Sequence, residues 1–166
     1  MQSREGFAGG TPDHAVHWQR AAALFLSLLL VSLPLQAEEE LRFPGDPPDH
    51  KLVYQFNKAD EAYQKSILFS VGAMLRKYGD NIRIVVVAIG PGLHILAKQP
   101  KRPVSQETRE RVSSLSQYGV EFHACGNTMK SLHWTDKDML PFAKVVEVGA
   151  ADLMELQEDG YAYLSW

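Results

Sequence analysis

The sequence predicts an α/β protein, a three-layer sandwich in which helices flank a mostly parallel five-stranded sheet. The first observation behind this prediction is that strand-like runs alternate with helical periodicities from residue 51 to the C-terminus. The second is the run IRIVVVAI at residues 82–89, which is almost unbroken and β-branched. Such a run is typical of a central strand that helices bury on both faces, and it therefore indicates parallel pairing.

Each element of the alternation has a local signal. Strands are predicted at residues 51–56, 82–89, 120–124, 143–148 and 161–164, and helices at residues 59–78, 105–119, 126–132 and 150–158, with a short helical turn at 93–98. Asn57 or Asp60 is expected to cap the first helix, and Gly79 to end it. Ser105 is expected to cap the second helix, which stops at Gly119.

The N-terminal part of the chain is predicted to lie outside this domain. Residues 1–37 resemble a signal peptide, because the apolar run 21–33 would span only about 20 Å as a helix, whereas a bilayer core is about 30 Å thick. Ala37 occupies the −1 position of a cleavage site. The acidic, proline-rich residues 38–50 predict an extended tether, so the folded domain is residues 51–166. We expect export to the periplasm with no stable membrane anchor after cleavage; an uncleaved N-terminal helix is the alternative.

Composition excludes several classes of function. The net charge of −3 lacks the basic excess of nucleic-acid-binding proteins. The single cysteine, Cys125, forms no intrachain disulfide, and its spacing to His123 and His133 matches no standard zinc or copper site. We therefore expect no metal and no cofactor. The sequence also lacks GxSxG, HExxH and paired-cysteine motifs, so it gives no support to a hydrolase, a metalloprotease or a dithiol oxidoreductase.

The most informative residue is Cys125, which directly follows the third predicted strand. Backbone N–H groups of Gly126, Asn127 and Thr128 at the following helix start would face its sulfur and favour the thiolate over the thiol. His123 shares a face with Cys125 if the strand stays regular, and it would then serve as a proton partner. Cys125 and His123 are thus the candidate catalytic residues. The alternative is that Cys125 is a buried, inert side chain.

The substrate pocket is expected at the carboxyl edge of the sheet, where loops meet helix N-termini. Two loops lie there, and they contribute the candidate pocket residues Gly126, Asn127, Thr128, Gly90 and His94. Gly126 would allow a substrate to approach closely, although the turn around Gly90 is also explained as a simple strand terminator. His94 and His133 would either tune the sulfur or form structural hydrogen bonds, and Met129 and Trp134 would either wall the pocket or pack in the core.

The segment FHACGNTM at residues 122–129, together with residues 138–141, 145–151 and 156–164, resembles the DsrE/DsrF-like family, in particular its exported single-domain members. The resemblance runs from about residue 51 to the C-terminus, and ACGNTM is its most specific part. It implies a compact α/β fold that assembles into homotrimers or homohexamers. In the sulfur-relay members it also implies a cysteine that carries sulfane sulfur as a persulfide, a role that only Cys125 can take here.

Two classes of function stay open at this point. The first is a sulfurtransferase or sulfur carrier that uses Cys125. The second is a non-catalytic oligomeric protein that binds a small ligand or a partner at the same edge, with an inert Cys125. The sequence names neither a sulfur donor nor an acceptor.

Overall fold

The structure is a computed structural model that describes residues 42–43 and 45–166. The predicted signal peptide and residues 38–41 and 44 of the predicted tether lie outside the described residues. Within the described part, Arg42 donates hydrogen bonds to the Asn81 side chain at 2.6 Å and to the backbone carbonyl of Asp80 at 3.1 Å. The chain that precedes the sheet is thereby attached to the turn that follows the first helix. No helix among the described residues has the length and hydropathy that a membrane span needs.

Five strands form one fully parallel sheet, which confirms the predicted α/β fold. They are β1 (His50–Phe56), β2 (Ile82–Ala88), β3 (Glu121–Cys125), β4 (Ala143–Val146) and β5 (Ala162–Leu164). Their order across the sheet is β4-β3-β2-β1-β5, so β2 lies at the centre. The β-branched run in the sequence is this central strand, and its residues from Ile84 to Ala88 are at most 1% exposed.

Helices follow the strands in the predicted order. They are α1 (Glu61–Tyr78), α2 (Gln106–Gln117), α3 (Gly126–Ser131) and α4 (Gly149–Glu158), with 3₁₀ helices at Gly90–Leu96 and Asp136–Asp138. Asp60 caps α1 by accepting the Tyr63 N–H at 2.8 Å, and Ser105 caps α2 by accepting the Thr108 N–H at 3.3 Å. Both caps satisfy N–H groups that a helix start leaves without intrahelical partners.

Two of the differences from the predicted element bounds have a local physical reason. The turn expected at residues 93–98 is a 3₁₀ helix that begins at Gly90. Pro91 lies in its first turn, where a backbone N–H would have no partner within the helix, so the N–H that proline lacks costs nothing there. The fourth strand, expected at residues 143–148, ends at Val146 because the chain turns there and the Glu147 carbonyl accepts the Asn127 N–H at 3.1 Å.

The two faces of the sheet are covered by different elements. On one face, α1, α2, α3 and the first 3₁₀ helix enclose the larger core, which includes the fully buried Tyr54, Phe56 and Phe122. On the other face, Val53, Val85 and Val87 form a smaller core with Leu153 of α4. Side chains alternate along β3, so Glu121, His123 and Cys125 belong to the face that α4 covers. The fold therefore places the single cysteine at the carboxyl edge of the sheet, beneath the start of α4.

Candidate functional site

Cys125 is the last residue of β3, and α3 begins with the next residue. The cysteine is 4% exposed, and its Sγ accepts a hydrogen bond from the Gly149 N–H at 3.3 Å. Gly149 is the first residue of α4, which follows the neighbouring strand β4. Two helix starts therefore meet at the sulfur, because parallel strands bring their carboxyl ends to one edge of the sheet.

The hydrogen bonds around the sulfur change its acidity. Burial raises the pKa of the Cys125 thiol, but the nearby hydroxyl and N–H of Thr128, the Gly149 N–H that donates to the sulfur and the nearby N–H of Asn127 lower it by more in total. The pKa of Cys125 consequently lies below its ordinary value. The physical reason is that each of these donors stabilises the thiolate and not the neutral thiol.

Thr128 connects the sulfur with the loop after β2. Its Oγ1 accepts the Gly90 N–H at 3.0 Å, which leaves the hydroxyl proton for the sulfur. Gly90 has φ of 54°, a left-handed conformation that glycine adopts without steric cost. The structure thus brings Gly90 and Thr128 of the predicted pocket together at Cys125.

Two glycines keep the backbones close around the sulfur. A Cβ on Gly149 would lie 2.8 Å from Cγ1 of Ile89 and 3.0 Å from the Cβ of Cys125. A Cβ on Gly126 would lie 2.9 Å from the carbonyl oxygen of Val146. The close approach at Gly126 is thus made by the chain's own backbone, whereas the sequence suggested an approaching substrate.

His123 lies on the same face as Cys125, but its ring is engaged elsewhere. The side chain is 2% exposed, its Nδ1 lies 2.8 Å from Oδ2 of Asp152 on α4, and its Nε2 lies 3.6 Å from Oε2 of Glu121. None of the hydrogen bonds between described residues joins His123 to Cys125, and Nε2 has no hydrogen-bond partner among them. Both ring nitrogens therefore face carboxylates, and the geometry gives His123 a structural link to α4.

The other candidate side chains are separate from the sulfur. His94 is 3% exposed, its Nδ1 accepts the Lys101 N–H at 3.1 Å, and its ring packs edge-on against Trp134. Burial, reinforced by the charges of Arg102 and Lys101, lowers the pKa of His94, so the ring is neutral and holds the basic loop in place. His133 is exposed, and Met129 belongs to the larger core.

Sequence reasoning missed Gly149 and Asp152, both in the first turn of α4. Their signal was positional, since they follow the fourth predicted strand and so reach the same sheet edge as Cys125. At the same edge of the sheet, an open hollow of about 490 Å³ is bordered by Lys58, Asp60, Pro91 and Arg102, and Cys125 is not part of its lining. Within residues 42–43 and 45–166, no cluster of three or more His, Cys, Asp or Glu side chains could hold a metal ion.

Comparison with known proteins identifies the family. The model of the DsrE/DsrF-like family matches residues 46–166. The chain belongs to this family. The family is associated with sulfur relay, and the segment around Cys125 lies within the match. A search of curated proteins finds no match.

Solved structures confirm the family fold. A protein of unknown function from Methanobacterium thermoautotrophicum, MTH1491, is 26% identical with a TM-score of 0.64, over 71% of this chain and 100% of that one. The ychN protein from E. coli is 10% identical with a TM-score of 0.54, over 70% of this chain and 99% of that one. BT1422 from Bacteroides thetaiotaomicron is 15% identical with a TM-score of 0.52, over 70% of this chain and 94% of that one. The last two similarities concern the fold alone.

Proposed function

We propose that this protein is a sulfur carrier that accepts sulfane sulfur on Cys125 as a persulfide and passes it to an acceptor thiol. The observation that carries the proposal is the position of Cys125 at the carboxyl edge of the sheet, where its Sγ accepts the Gly149 N–H at 3.3 Å and the nearby polar groups of Thr128 and Asn127 further lower the pKa of the thiol despite its burial. The thiolate is the species that attacks sulfur. Membership of a family associated with sulfur relay supports the same chemistry.

The loading step requires no oxidant. With thiosulfate as the donor, the Cys125 thiolate attacks the sulfane sulfur, the bond to the central sulfur breaks, and sulfite leaves with the electron pair of that bond. The product is the deprotonated persulfide of Cys125. In the second step, the thiolate of the acceptor attacks the outer sulfur, and Cys125 leaves as a thiolate that the same donors stabilise.

The surroundings of Cys125 indicate which sulfane donor to use in a test. Burial of Cys125 to 4% exposure favours a small donor over a large one. At the same edge of the sheet, the hollow beyond the end of β1 is bordered by the two cations Lys58 and Arg102 and the one carboxylate of Asp60, an excess of positive charge that attracts an anionic donor. We therefore choose thiosulfate, a small dianion, as the probe.

A second candidate function is favoured by the same burial. A cysteine at 4% exposure is also what an inert core thiol shows, and the protein would then be a non-catalytic oligomeric binding protein. The two candidates differ in native reactivity. A carrier's thiol is alkylated rapidly in the folded protein below pH 7, whereas an inert thiol is protected until the protein unfolds.

Mass spectrometry tests the carrier directly. Incubation with thiosulfate is expected to add one sulfur atom, about 32 Da, which a reductant then removes. Cys125→Ser is the matched control, since it removes the thiol with almost no change in shape, and it is expected to stay folded and unmodified. An unmodified wild-type protein with a thiol that resists alkylation would eliminate the carrier and leave the binding protein.

Assembly and location are further parts of the proposal. The chain end exposes Tyr163 by 39%, Leu164 by 37% and Trp166 by 49%, an apolar area that an interface in a homotrimer or homohexamer would cover. Light scattering tests this, and a monodisperse monomer at micromolar concentration would contradict it.

For location, we propose the periplasm, with a mature N-terminus at Glu38 after signal-peptide cleavage. N-terminal sequencing of the protein from its native envelope tests this, and a retained Met1 would overturn it.

A further inference from the structure

The first turn of α4 makes two contacts with β3. Its Gly149 N–H donates to Sγ of Cys125 at 3.3 Å, and Oδ2 of its Asp152 lies 2.8 Å from Nδ1 of His123. Gly149 and Asp152 are three residues apart on a helix, and Cys125 and His123 are two residues apart on a strand, so each pair lies on one side of its element. The two contacts therefore join the same two elements side by side.

The contact at His123 is the stronger of the two. It joins a carboxylate to an imidazole at short distance, with the ring 2% and the Asp152 side chain 13% exposed. Charge-assisted hydrogen bonds of this kind are about twice as strong as neutral ones. Gly149 has no side chain with which to fix its own position, and its N–H reaches the sulfur only where α4 places it. The position of that N–H thus depends on what anchors the turn.

We propose that Asp152 is a positioning residue for Cys125: its bond to His123 anchors the first turn of α4, and this anchor keeps the Gly149 N–H on the sulfur. In this proposal, the ring of His123 is the fixed group to which Asp152 bonds, and it takes no proton from the thiol. The proposal rests on the proposed function for its purpose, because a stabilised thiolate serves a carrier. Its physical content, a link between Asp152 and the ionisation of Cys125, can be measured without any sulfur transfer.

A direct electrostatic effect of Asp152 would have the opposite sign. The elements around Cys125 carry several titratable side chains. They are Glu121 and His123 on its own strand, Arg83 on β2, Lys144 on β4, Glu147 in the following turn, Lys130 on α3, and Asp152, Glu155 and Glu158 on α4. A carboxylate acting through space opposes ionisation of a nearby thiol, so its removal would lower the pKa of Cys125. If Asp152 instead acts through Gly149, its removal raises that pKa.

The experiment measures the pKa of Cys125 from the ultraviolet absorbance of the thiolate as a function of pH, with the Cys125→Ser protein as the blank. Because this absorbance needs no reagent, it reports on a buried thiol as well as on an accessible one. Asp152→Ala in the full chain is expected to raise the pKa by about one unit, a tenfold loss of thiolate at a pH below both values. Asp152→Asn is expected to stay close to wild type, because its amide oxygen still accepts the His123 N–H.

Controls make the result specific. Glu155→Ala removes an exposed carboxylate from the same helix and is expected to leave the pKa unchanged. If Asp152→Ala does not fold, Asp152→Glu decides, since it keeps the charge but moves the carboxylate by one methylene and should raise the pKa. An unchanged or lowered pKa in the deciding variant would overturn the positioning role.

Failure of this inference and failure of the carrier can be told apart. A wild-type protein that gains no sulfur from thiosulfate, but whose Cys125 pKa rises in Asp152→Ala, would refute the carrier and support the positioning role. A wild-type protein that gains sulfur, with an Asp152→Ala variant in which Cys125 ionises as in wild type, would support the carrier and refute the positioning role.

Discussion

The two faces of the sheet differ in what covers them and in what they contain. One face is enclosed by α1, α2, α3 and a 3₁₀ helix, and β3 contributes the apolar Phe122 and Ala124 to it. The other face is covered by α4, and β3 contributes His123 and Cys125 there, each with a partner in the first turn of that helix. One strand therefore serves two environments through the alternation of its side chains.

This difference separates stability from chemistry. Apolar burial on the first face acts through area and shape, so its loss weakens the whole fold without a specific effect on the sulfur. On the second face, His123 and Cys125 each bond to the first turn of α4, so small displacements of that helix change the ionisation of Cys125. Substitutions on the two faces should therefore be distinguishable by two measurements, the free energy of unfolding and the pKa of the thiol.

The largest expected effect is on stability, from Phe122→Ala on the first face. Phe122 is 1% exposed and packs against Phe142, so its truncation should cost about 3–5 kcal/mol in the free energy of unfolding measured with urea. Val145→Ala, at the edge of the same face and 38% exposed in wild type, is the control and should cost far less. A large shift of the Cys125 pKa in folded Phe122→Ala protein would contradict the separation of the faces.

On the second face, Gly149→Ala is expected to affect both measurements. The new methyl group would press on Ile89 and on the Cβ of Cys125, with an expected cost of about 1–3 kcal/mol from overpacking. Displacement of the Gly149 N–H should also raise the pKa of the thiol. The matched control is Gly72→Ala in α1, where a Cβ meets only the end of the Arg76 side chain, and alanine should stabilise the helix. Equal effects of the two substitutions would count against the proposed contact.

A smaller change isolates the contribution of Thr128. Thr128→Val keeps the shape but removes the hydroxyl, and the pKa of Cys125 should rise by about one unit because a donor to the thiolate is lost. Thr128→Ser retains the hydroxyl and should remain close to wild type. Thiolate absorbance as a function of pH measures both variants. An identical pKa for the valine and serine variants would show that the hydroxyl does not reach the sulfur.

The smallest expected effect is on the pH dependence of stability, and it comes from His94 in the first 3₁₀ helix. Burial lowers the pKa of His94 below about 6.5, the ordinary value for histidine, so the unfolded chain takes up a proton before the folded one does. The stability of the wild type should fall as the pH drops through about 6.5, until the folded pKa is reached. His94→Asn keeps an acceptor for the Lys101 N–H. Its free energy of unfolding, measured with urea, should depend less on pH than that of the wild type. The exposed His133 is the control, and His133→Asn with a flattened profile would refute this assignment.

Local sequence patterns predicted most of the fold, because the information needed was local. Alternation of apolar residues located the strands, and short polar residues such as Asp60 and Ser105 marked helix starts. The same kind of reasoning placed Cys125 at the end of a strand, with Thr128 in the following turn. Each helix cap bonds to an N–H only three positions further along the chain, which is why local patterns suffice to predict it.

The partners of the site could not be predicted in this way. Gly149 is 24 positions from Cys125, and Asp152 is 29 positions from His123, so both contacts depend on how α4 crosses the sheet. The sequence correctly put His123 and Cys125 on one face, but a shared face does not determine where an imidazole ring points. The role of His94 could not be predicted either, because the N–H of Lys101 that donates to its ring belongs to a loop without a periodic sequence pattern.

The short connection between β4 and α4 has a consequence for how the chain tolerates changes in length. Only residues 147 and 148 separate the end of the strand from the first residue of the helix. One inserted or deleted residue there would rotate α4 by about 100° about its axis relative to the sheet. That rotation would move Gly149 and Asp152 off β3 together. Relatives that keep both contacts are therefore expected to keep this connection at two residues.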